Sequence, residues 1–298
     1  MKKNKLENLG IYLPKIGIGT ALFGMDYANA KELTQNDVSL VLSTAFQKGY
    51  KFLDTAREYG RSEKKIGKAL SDKNDFLIST KLKKITNQCN LKDVIFESVE
   101  LSLIELNRQT IDILFLHQTD RYIVDNSLFW ETINELKVSN KIRSFGVSTY
   151  TPDETEHLID KYERYIDVFQ VPFNLFDQRF LTLKEKIDLN GIAILARSVF
   201  LRGIITADLN QIPSTLNELL PELLRVHYIA KQTEMSVAEF ALRFVTEHPF
   251  VDSALIGIGS NDELLKNISY LDNTQSKIPD FKSELVKDAL IDPRQWNF

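Results

Sequence analysis

Short apolar segments alternate with longer amphipathic segments along this 298-residue chain, and this alternation predicts an α/β protein. Eight of the short segments have the length and apolar content of buried strands, and a helical pattern follows each of them. Eight strand and helix units without a break in composition predict a (β/α)8 barrel, the TIM-barrel fold. We therefore expect residues 1–298 to form one barrel domain.

A doubly wound parallel sheet has the same local pattern and is the alternative architecture. Its dinucleotide-binding form carries the motif GxGxxG where a strand turns into a helix. The pairs Gly17-Ile18-Gly19 and Gly257-Ile258-Gly259 lack the third glycine, and neither opens a helix at once. The sequence therefore favours the barrel.

The predicted elements cover most of the chain. The strand candidates are residues 15–20, 51–55, 75–82, 111–117, 143–148, 168–173, 192–199 and 253–258. The helical patterns are residues 36–48, 62–71, 91–106, 127–140, 153–162, 181–190, 221–233, 236–247 and 262–271. Residues 200–221 form the longest predicted loop, which we expect to lie over the barrel mouth.

Composition excludes several classes of protein. The 37 basic and 41 acidic side chains leave a net charge of −4, so nothing in the overall charge favours nucleic acid or an anionic membrane. Cys89 is the single cysteine, so no intramolecular disulfide or thiolate metal cluster is expected, and the four histidines show no ligand spacing. Without a leader pattern or an apolar stretch of membrane-spanning length, we expect a cytoplasmic protein.

Four side chains with complementary chemistry follow three consecutive strand candidates. Asp54 ends the second strand, Tyr59 lies in the loop after it, Lys81 ends the third strand, and His117 ends the fourth. In a barrel these strand ends meet at one face, where such enzymes carry their active sites. A tyrosine with a pKa near 10 is a weak acid, and we expect the lysine to lower that pKa while the aspartate orients the lysine. This set is suited to protonating a carbonyl oxygen as hydride reaches the carbon.

The same residues belong to segments that resemble the motifs of the aldo-keto reductase family. In order along the chain these are residues 54–63 (DTAREYGRSE), 116–120 (LHQTD), 146–148 (GVS), 170–174 (QVPFN) and 257–267 (GIGSNDELLKN). The resemblance implies a barrel in which Tyr59 is the general acid/base, Lys81 and Asp54 tune it, and His117 orients the carbonyl. It also implies a nicotinamide cofactor, NAD or NADP, extended over the barrel mouth.

The resemblance further implies which residues contact that cofactor. These are Thr20, Asp54, Ser148 and Gln170 at the nicotinamide carboxamide and ribose, Phe173 stacked on the nicotinamide ring, Ser198, Val199, Phe200 and Gly203 around the pyrophosphate, and Gly257, Ser260, Glu263 and Asn267 in the last nucleotide-binding loop and helix.

The cofactor choice depends on the last loop and helix. Family members that prefer NADP carry basic residues there, whereas this chain has Gly257, Gly259 and Glu263. A carboxylate repels a 2′-phosphate and accepts from a ribose 2′-hydroxyl, so we expect NAD to be tolerated or preferred. The alternative is that Glu263 points to solvent and that Arg202 or Lys266 contacts the phosphate of NADP.

The resulting hypothesis is an oxidoreductase that interconverts an aldehyde, ketone or sugar carbonyl and an alcohol. Short loops at 22–35 and 118–127 indicate an open pocket for a sugar or small polar aldehyde. Arg57, Arg121, Arg179 and Arg202 lie in or near the predicted mouth loops, where they suit an anionic or nucleotide-linked substrate. The competing hypothesis is a non-catalytic, nucleotide-binding barrel with a redox-sensing or regulatory role, and a third is another barrel chemistry. We expect a monomer or a small homo-oligomer.

Overall fold

The computed structural model describes residues 4–27, 30–70, 75–86, 90–273, 277–283 and 287–296. Eight parallel strands within these ranges close into a barrel in the order of the sequence. They are β1 (Ile16–Gly19), β2 (Phe52–Asp54), β3 (Leu77–Lys81), β4 (Ile111–Leu116), β5 (Ile142–Ser148), β6 (Val168–Pro172), β7 (Ala193–Arg197) and β8 (Ser253–Gly257). The predicted barrel and all eight predicted strands are confirmed, while Cys89 lies outside the described residues.

Pairing between β1 and β8 closes the sheet. Ile16 pairs with Ala254 in that ladder, and on its other side β1 pairs with β2 through Ile18 and Leu53. Because every strand has two neighbours, no edge remains unpaired. All eight strands run in one direction, so their carboxyl ends share one face of the barrel.

Thirteen α-helices lie between or beside the strands in the described part of the chain. They are α1 (Lys5–Asn8), α2 (Ala21–Gly24), α3 (Gln35–Lys48), α4 (Ser62–Ala69), α5 (Leu91–Leu106), α6 (Arg121–Val124), α7 (Ser127–Val138), α8 (Pro152–Tyr162), α9 (Lys184–Asn190), α10 (Leu220–Gln232), α11 (Val237–Glu247), α12 (Asn261–Asp272) and α13 (Asp288–Ile291). The longer ones match the helical patterns of the sequence. The four-residue helices were not predicted, because a single turn is too short to show a helical period.

The segment 200–221, the longest predicted loop, contains short helical turns before α10 begins. They are the 3-10 turns Leu209–Gln211 and Ser214–Leu219, and a kinked turn at Leu201–Thr206 in which Arg202 and Gly203 are not helical. Their apolar residues Leu201, Leu216 and Leu219 are buried, and the segment packs against α10, α11 and α13.

The barrel interior has its own apolar cluster, which includes Phe52, Phe115 and Leu195. Leu6 and Ile11 from the amino-terminal segment join this cluster, and Lys5 donates from its main-chain nitrogen to the carbonyl oxygen of Gly191, just before β7. This segment therefore covers the end of the barrel where the strands begin. No helix among the described residues is long and apolar enough to cross a membrane.

Candidate active site

The four predicted catalytic side chains lie together at the carboxyl end of the barrel. The ammonium nitrogen of Lys81 is 2.6 Å from Oδ2 of Asp54 and 5.2 Å from the centre of the Tyr59 ring. The rings of Tyr59 and His117 meet edge to face with their centres 5.9 Å apart. The expectation that three strand ends bring these groups into one cluster is therefore supported by the geometry.

A buried hydrogen-bond network holds Asp54 and Lys81 in place. Oδ1 of Asp54 accepts from the hydroxyl of Ser79 at 2.7 Å and from Nε2 of Gln170 at 3.0 Å. Lys81 also donates to the carbonyl oxygen of Thr55 at 2.9 Å. Asp54 is 5% exposed and Lys81 is 1% exposed. A buried ion pair needs such additional partners to offset the loss of hydration, and their presence fixes both side chains.

The loop that carries Tyr59 packs closely on α2. A Cβ atom on Gly24 would lie 1.9 Å from the carbonyl oxygen of Tyr59 and 2.3 Å from the nitrogen of Ser62, so only glycine fits there. Beneath the loop, Ser62 donates from its hydroxyl to the carbonyl oxygen of Thr20 at 2.9 Å. The position of the phenol is therefore set by main-chain packing between two segments.

Tyr59 is held as a protonated phenol. Burial raises the pKa of Tyr59 well above its ordinary value, and the negative charge of Asp54 acts in the same direction. The positive charge of Arg197 opposes this rise. Burial also lowers the pKa of Lys81, which Asp54 counteracts. A neutral phenol beside a charged lysine is suited to donating a proton.

His117 is neutral at physiological pH. Burial lowers its pKa to about 4, and the positive charge of Lys81 acts in the same direction. A neutral imidazole can donate or accept one hydrogen bond at each nitrogen without adding charge to the site. It also lines a cavity of about 380 Å³ together with Tyr150, Thr119 and Leu82. The hydroxyl of Thr119 is buried there without a hydrogen-bond partner.

Several residues expected at the nicotinamide end lie beside this cluster. Ser148, the last residue of β5, pairs in register with Gln170 in β6, and both are buried. Gln170 donates to Asp54. Thr20 is fully buried, and its hydroxyl donates to the carbonyl oxygen of Asp54 at 3.0 Å. Thr20 therefore supports Asp54 and presents no free side-chain donor to the mouth.

Phe173 lies away from the mouth, which contradicts the stacking role expected for it. Its ring has no exposed surface and packs on Phe244, His248 and Phe250, with centres 6.0, 4.9 and 5.5 Å away. Side chains alternate between the two sides of a strand, and this position faces the helices while Gln170 faces the barrel interior. A fully enclosed ring cannot stack on a cofactor.

The segment after β7 has an unusual backbone. Ser198, Leu201 and Arg202 are non-glycine residues with φ values of 60°, 47° and 53°, and Gly203 follows with φ of 89°. Left-handed conformations are costly for residues with a Cβ and concentrate at binding sites. Val199 is buried in the core, so it is the backbone of this segment that is available for binding, while the Val199 side chain is not.

The last loop is closed by hydrogen bonds around the start of α12. The carboxylate of Glu263 accepts from the main-chain nitrogen of Gly259 at 2.7 Å, and the hydroxyl of Ser260 accepts from the nitrogen of Glu263 at 3.1 Å. A Cβ on Gly257 would meet nothing within 4 Å. Asn267 is 5% exposed, and its Nδ2 is buried without a partner. This unpaired donor belongs to α12, the helix that follows the last loop.

A residue that the sequence did not single out, Arg197, also lies at this site. It ends β7, and its guanidinium carbon is 4.0 Å from the centre of the Tyr150 ring, while that of Arg294 is 3.5 Å from the same centre. The rule that identified Lys81, a charged residue at a strand end, applies to Arg197 as well. The predicted strand ran on to residue 199, so Arg197 was placed inside it.

Known proteins identify the group to which this barrel belongs. A protein-family model, described as "Aldo/keto reductase family", matches residues 15–283 of the chain. The chain belongs to this family. Its members are nicotinamide-dependent oxidoreductases, so this chain is an enzyme of that class acting on small carbonyl or alcohol compounds.

Individual relatives of this aldo-keto reductase are distant. It is 26% identical to the uncharacterized oxidoreductase YqkF of Bacillus subtilis, with 90% of each chain covered. It is 23% identical to L-galactose dehydrogenase of Arabidopsis thaliana, covering 97% of this chain and 93% of that protein. The holo form of aldo-keto reductase AKR11C1 from Bacillus halodurans is similar in structure, with a TM-score of 0.73, 22% identity and 88% of each chain covered.

No metal site accompanies this chemistry in the part of the chain that the structure describes. No group of three or more histidine, cysteine or acidic side chains there is arranged to hold an ion.

Two of the arginines singled out in the sequence are neutralised by acids. Arg57 pairs with Glu63 and Glu105, and Arg179 pairs with Asp177 and Asp288.

Proposed function

We propose that this aldo-keto reductase interconverts an aldehyde or sugar carbonyl and the corresponding alcohol, with Tyr59 as general acid in the direction of reduction. The observation that carries the proposal is the edge-to-face contact of Tyr59 and His117 beside the cavity, with the Lys81 and Asp54 pair behind them. A bound nicotinamide supplies or accepts the hydride. The residues of the chain orient the carbonyl and move the proton.

Each side chain has a separate task in this proposal. His117 is neutral at physiological pH because its pKa is about 4, and it donates a hydrogen bond to the substrate oxygen. Tyr59 transfers its proton to that oxygen as negative charge develops there, and the ammonium of Lys81 stabilises the phenolate that remains. Asp54 keeps Lys81 charged and oriented. Because burial raises the pKa of Tyr59, proton donation is favoured at neutral pH, and oxidation of an alcohol should need a more alkaline solution.

The Tyr59→Phe variant tests the proposal because it removes only the hydroxyl. We expect kcat for reduction of 4-nitrobenzaldehyde to fall by about 10²- to 10⁴-fold, the usual contribution of a general acid. The affinity for NADH should change little. Tyr228→Phe, on the exposed face of α10, is the matched control and should keep full activity. Binding of NADH without turnover of any compound in a broad carbonyl panel would contradict the proposal and favour a regulatory role.

We further propose that the cofactor is bound in an extended form along the mouth and that NAD is preferred. The left-handed segment at Ser198 to Gly203 and the unpaired Nδ2 of Asn267 support binding along this path. Glu263 supports the preference, because its carboxylate is tied to Gly259 at the start of α12. A carboxylate there repels a 2′-phosphate and can accept from a 2′-hydroxyl.

Fluorescence titration of Glu263→Gln with NADH and NADPH tests this preference. Glutamine keeps an acceptor for the Gly259 nitrogen and removes the charge. Repulsion between one charge and a phosphate dianion at the surface costs about 2 kcal/mol at low salt, so affinity for NADPH should rise about 30-fold. Asp262→Asn, in the same turn of α12, is the control and should change the NADH to NADPH ratio far less. Tighter binding of NADPH by the wild-type protein would refute the preference.

The substrate class that we propose is a sugar or another small polar carbonyl compound. The cavity beside His117 has room for a small molecule, and the charged side chains of Glu58, Lys83 and Asp120 contribute to its lining. The names of several relatives support this substrate class, because they include an L-galactose dehydrogenase, a D-threo-aldose 1-dehydrogenase and an L-glyceraldehyde 3-phosphate reductase.

A further inference from the structure

Arg197 carries a positive charge that no acid of the described chain neutralises. Its Nη2 donates to the carbonyl oxygen of Thr149 at 3.1 Å, and its Nη1 donates to the hydroxyl of Ser198 at 3.3 Å. Both acceptors are neutral. The Nε of Arg197 is buried and has no hydrogen-bond partner. Arginines in such positions are normally paired with an acid.

The other cations near Arg197 have their own acids. Lys81 is paired with Asp54 at 2.6 Å. Arg294, which also packs on the Tyr150 ring, forms a bidentate ion pair with Asp292. Its Nε donates to Oδ1 at 2.9 Å and its Nη2 donates to Oδ2 at 2.6 Å. Of these three cations, Arg197 is the one without an acidic partner among the described residues.

The position of Arg197 links it to the reacting groups. Its guanidinium packs on Tyr150, which lines the cavity together with His117. Burial lowers the pKa of His117, and the charges of Lys81 and then Arg197 act in the same direction. Arg197 is thus close enough to Tyr59 and His117 to act on both, and an anion bound to it would lie near the carbonyl that these residues hold.

We propose that Arg197 binds a carboxylate or phosphate group of the substrate, so that the preferred substrates are acidic carbonyl compounds. The inference rests on the proposed function and narrows it from small polar carbonyl compounds to those with an anionic group. A guanidinium presents paired donors that match carboxylate and phosphate oxygens, and Nη1 and Nη2 of Arg197 each keep one N–H beyond the bonds to Ser198 and Thr149. The second source of such an anion is the pyrophosphate of the cofactor, which the experiment separates from the substrate.

The experiment compares matched charged and neutral aldehydes with wild-type protein and Arg197→Gln. The carboxylate pair is 4-carboxybenzaldehyde and its methyl ester, and the phosphate pair is glycolaldehyde phosphate and glycolaldehyde. We expect the wild-type protein to have a higher kcat/KM for one charged member than for its neutral partner. In Arg197→Gln the ratio of kcat/KM for the charged aldehyde to kcat/KM for its neutral partner should fall about 10- to 150-fold, the contribution of a charge-assisted hydrogen bond, whatever the lost charge beside Tyr59 does to both aldehydes alike. Arg197→Lys should retain part of the preference.

Two controls exclude a structural or cofactor role for Arg197. Arg294→Gln removes the other arginine on Tyr150, whose charge Asp292 already neutralises, and should leave the preference intact. The Kd of NADH should be unchanged in Arg197→Gln. Three results would each overturn the proposal. The first is an equal loss of kcat/KM for charged and neutral aldehydes in Arg197→Gln, and the second is a weaker NADH affinity with an unchanged preference for the charged aldehyde. The third is an equal effect of Arg197→Gln and Arg294→Gln on that preference. Absence of turnover of all four aldehydes by the wild-type protein would instead refute the proposed function.

Discussion

Replacing Lys81 with methionine tests the arrangement of the candidate site through stability as well as activity. Methionine has a similar length but no charge, so the variant leaves Asp54 as a buried carboxylate without its cation. The hydrogen bonds from Ser79 and Gln170 to Asp54 remain. They satisfy one oxygen, whereas Oδ2 loses the partner at 2.6 Å.

The burial of the pair determines the size of the effect. Lys81 is 1% exposed and Asp54 is 5% exposed, so water cannot replace the missing cation. Breaking a buried pair by removing one partner costs about 3–5 kcal/mol. With an unfolding entropy of about 2.1 cal/mol/K per residue, this corresponds to a decrease in Tm of roughly 5–8 °C for a chain of this length.

Thermal unfolding followed by circular dichroism measures this loss, with Lys31→Met as the matched control. Lys31 pairs with Asp26 at 2.7 Å, a similar distance, but the two side chains are 91% and 57% exposed. Exposed pairs contribute at most about 1 kcal/mol. The double variant Asp54→Asn, Lys81→Met should recover part of the stability, because no unpaired carboxylate remains, but it should not recover aldehyde reduction.

Two results would refute this reasoning. If Lys81→Met changes Tm no more than Lys31→Met does, the pair is not buried as described. If the double variant is as unstable as the sum of the two single variants, the side chains do not interact in the folded protein.

Three further predictions concern other parts of the site. Burial lowers the pKa of His117 to about 4 from an ordinary value of 6.5, so the unfolded chain binds more protons than the folded chain between these pH values. The free energy of unfolding should therefore decrease as the pH falls from 6.5 to 4. Urea unfolding at several pH values should show a smaller decrease in His117→Asn than in the wild-type protein. Gly24→Ala should displace the Tyr59 loop, because its Cβ would lie 1.9 Å from the Tyr59 carbonyl oxygen. The kcat for aldehyde reduction should therefore decrease markedly. A variant with the kcat of the wild-type protein would contradict the close packing of the loop on α2. Phe173→Leu should lower Tm by repacking the core and leave the Kd of NADH unchanged, whereas a large increase in that Kd would restore the stacking role.

Much of the site was predictable because the relevant patterns are local. Asp54 and Lys81 end apolar strands, His117 follows one, and Tyr59 lies in a loop immediately after a strand. In a barrel of parallel strands, each strand end points to the same face. The order of residues along the chain was therefore sufficient to predict that these four would meet.

Phe173 shows where local pattern was insufficient. It follows directly after β6, and from the sequence it could face either the mouth or the outer helices. Its contacts with Phe244 and Phe250 come from residues more than 70 positions away in the chain. Packing of the helical layer on the barrel decided which side it faces.

The sequence by itself was sufficient to predict the barrel of eight strands and the four side chains that meet at the candidate site, because strand periods and strand ends are properties of short segments. Only the tertiary structure decided which charges are neutralised. Arg57 and Arg179 each have acidic partners, whereas Arg197 has the carbonyl of Thr149 and the ring of Tyr150. An ion pair depends on distances between residues from separate strands and loops, and the closure of the barrel establishes those distances.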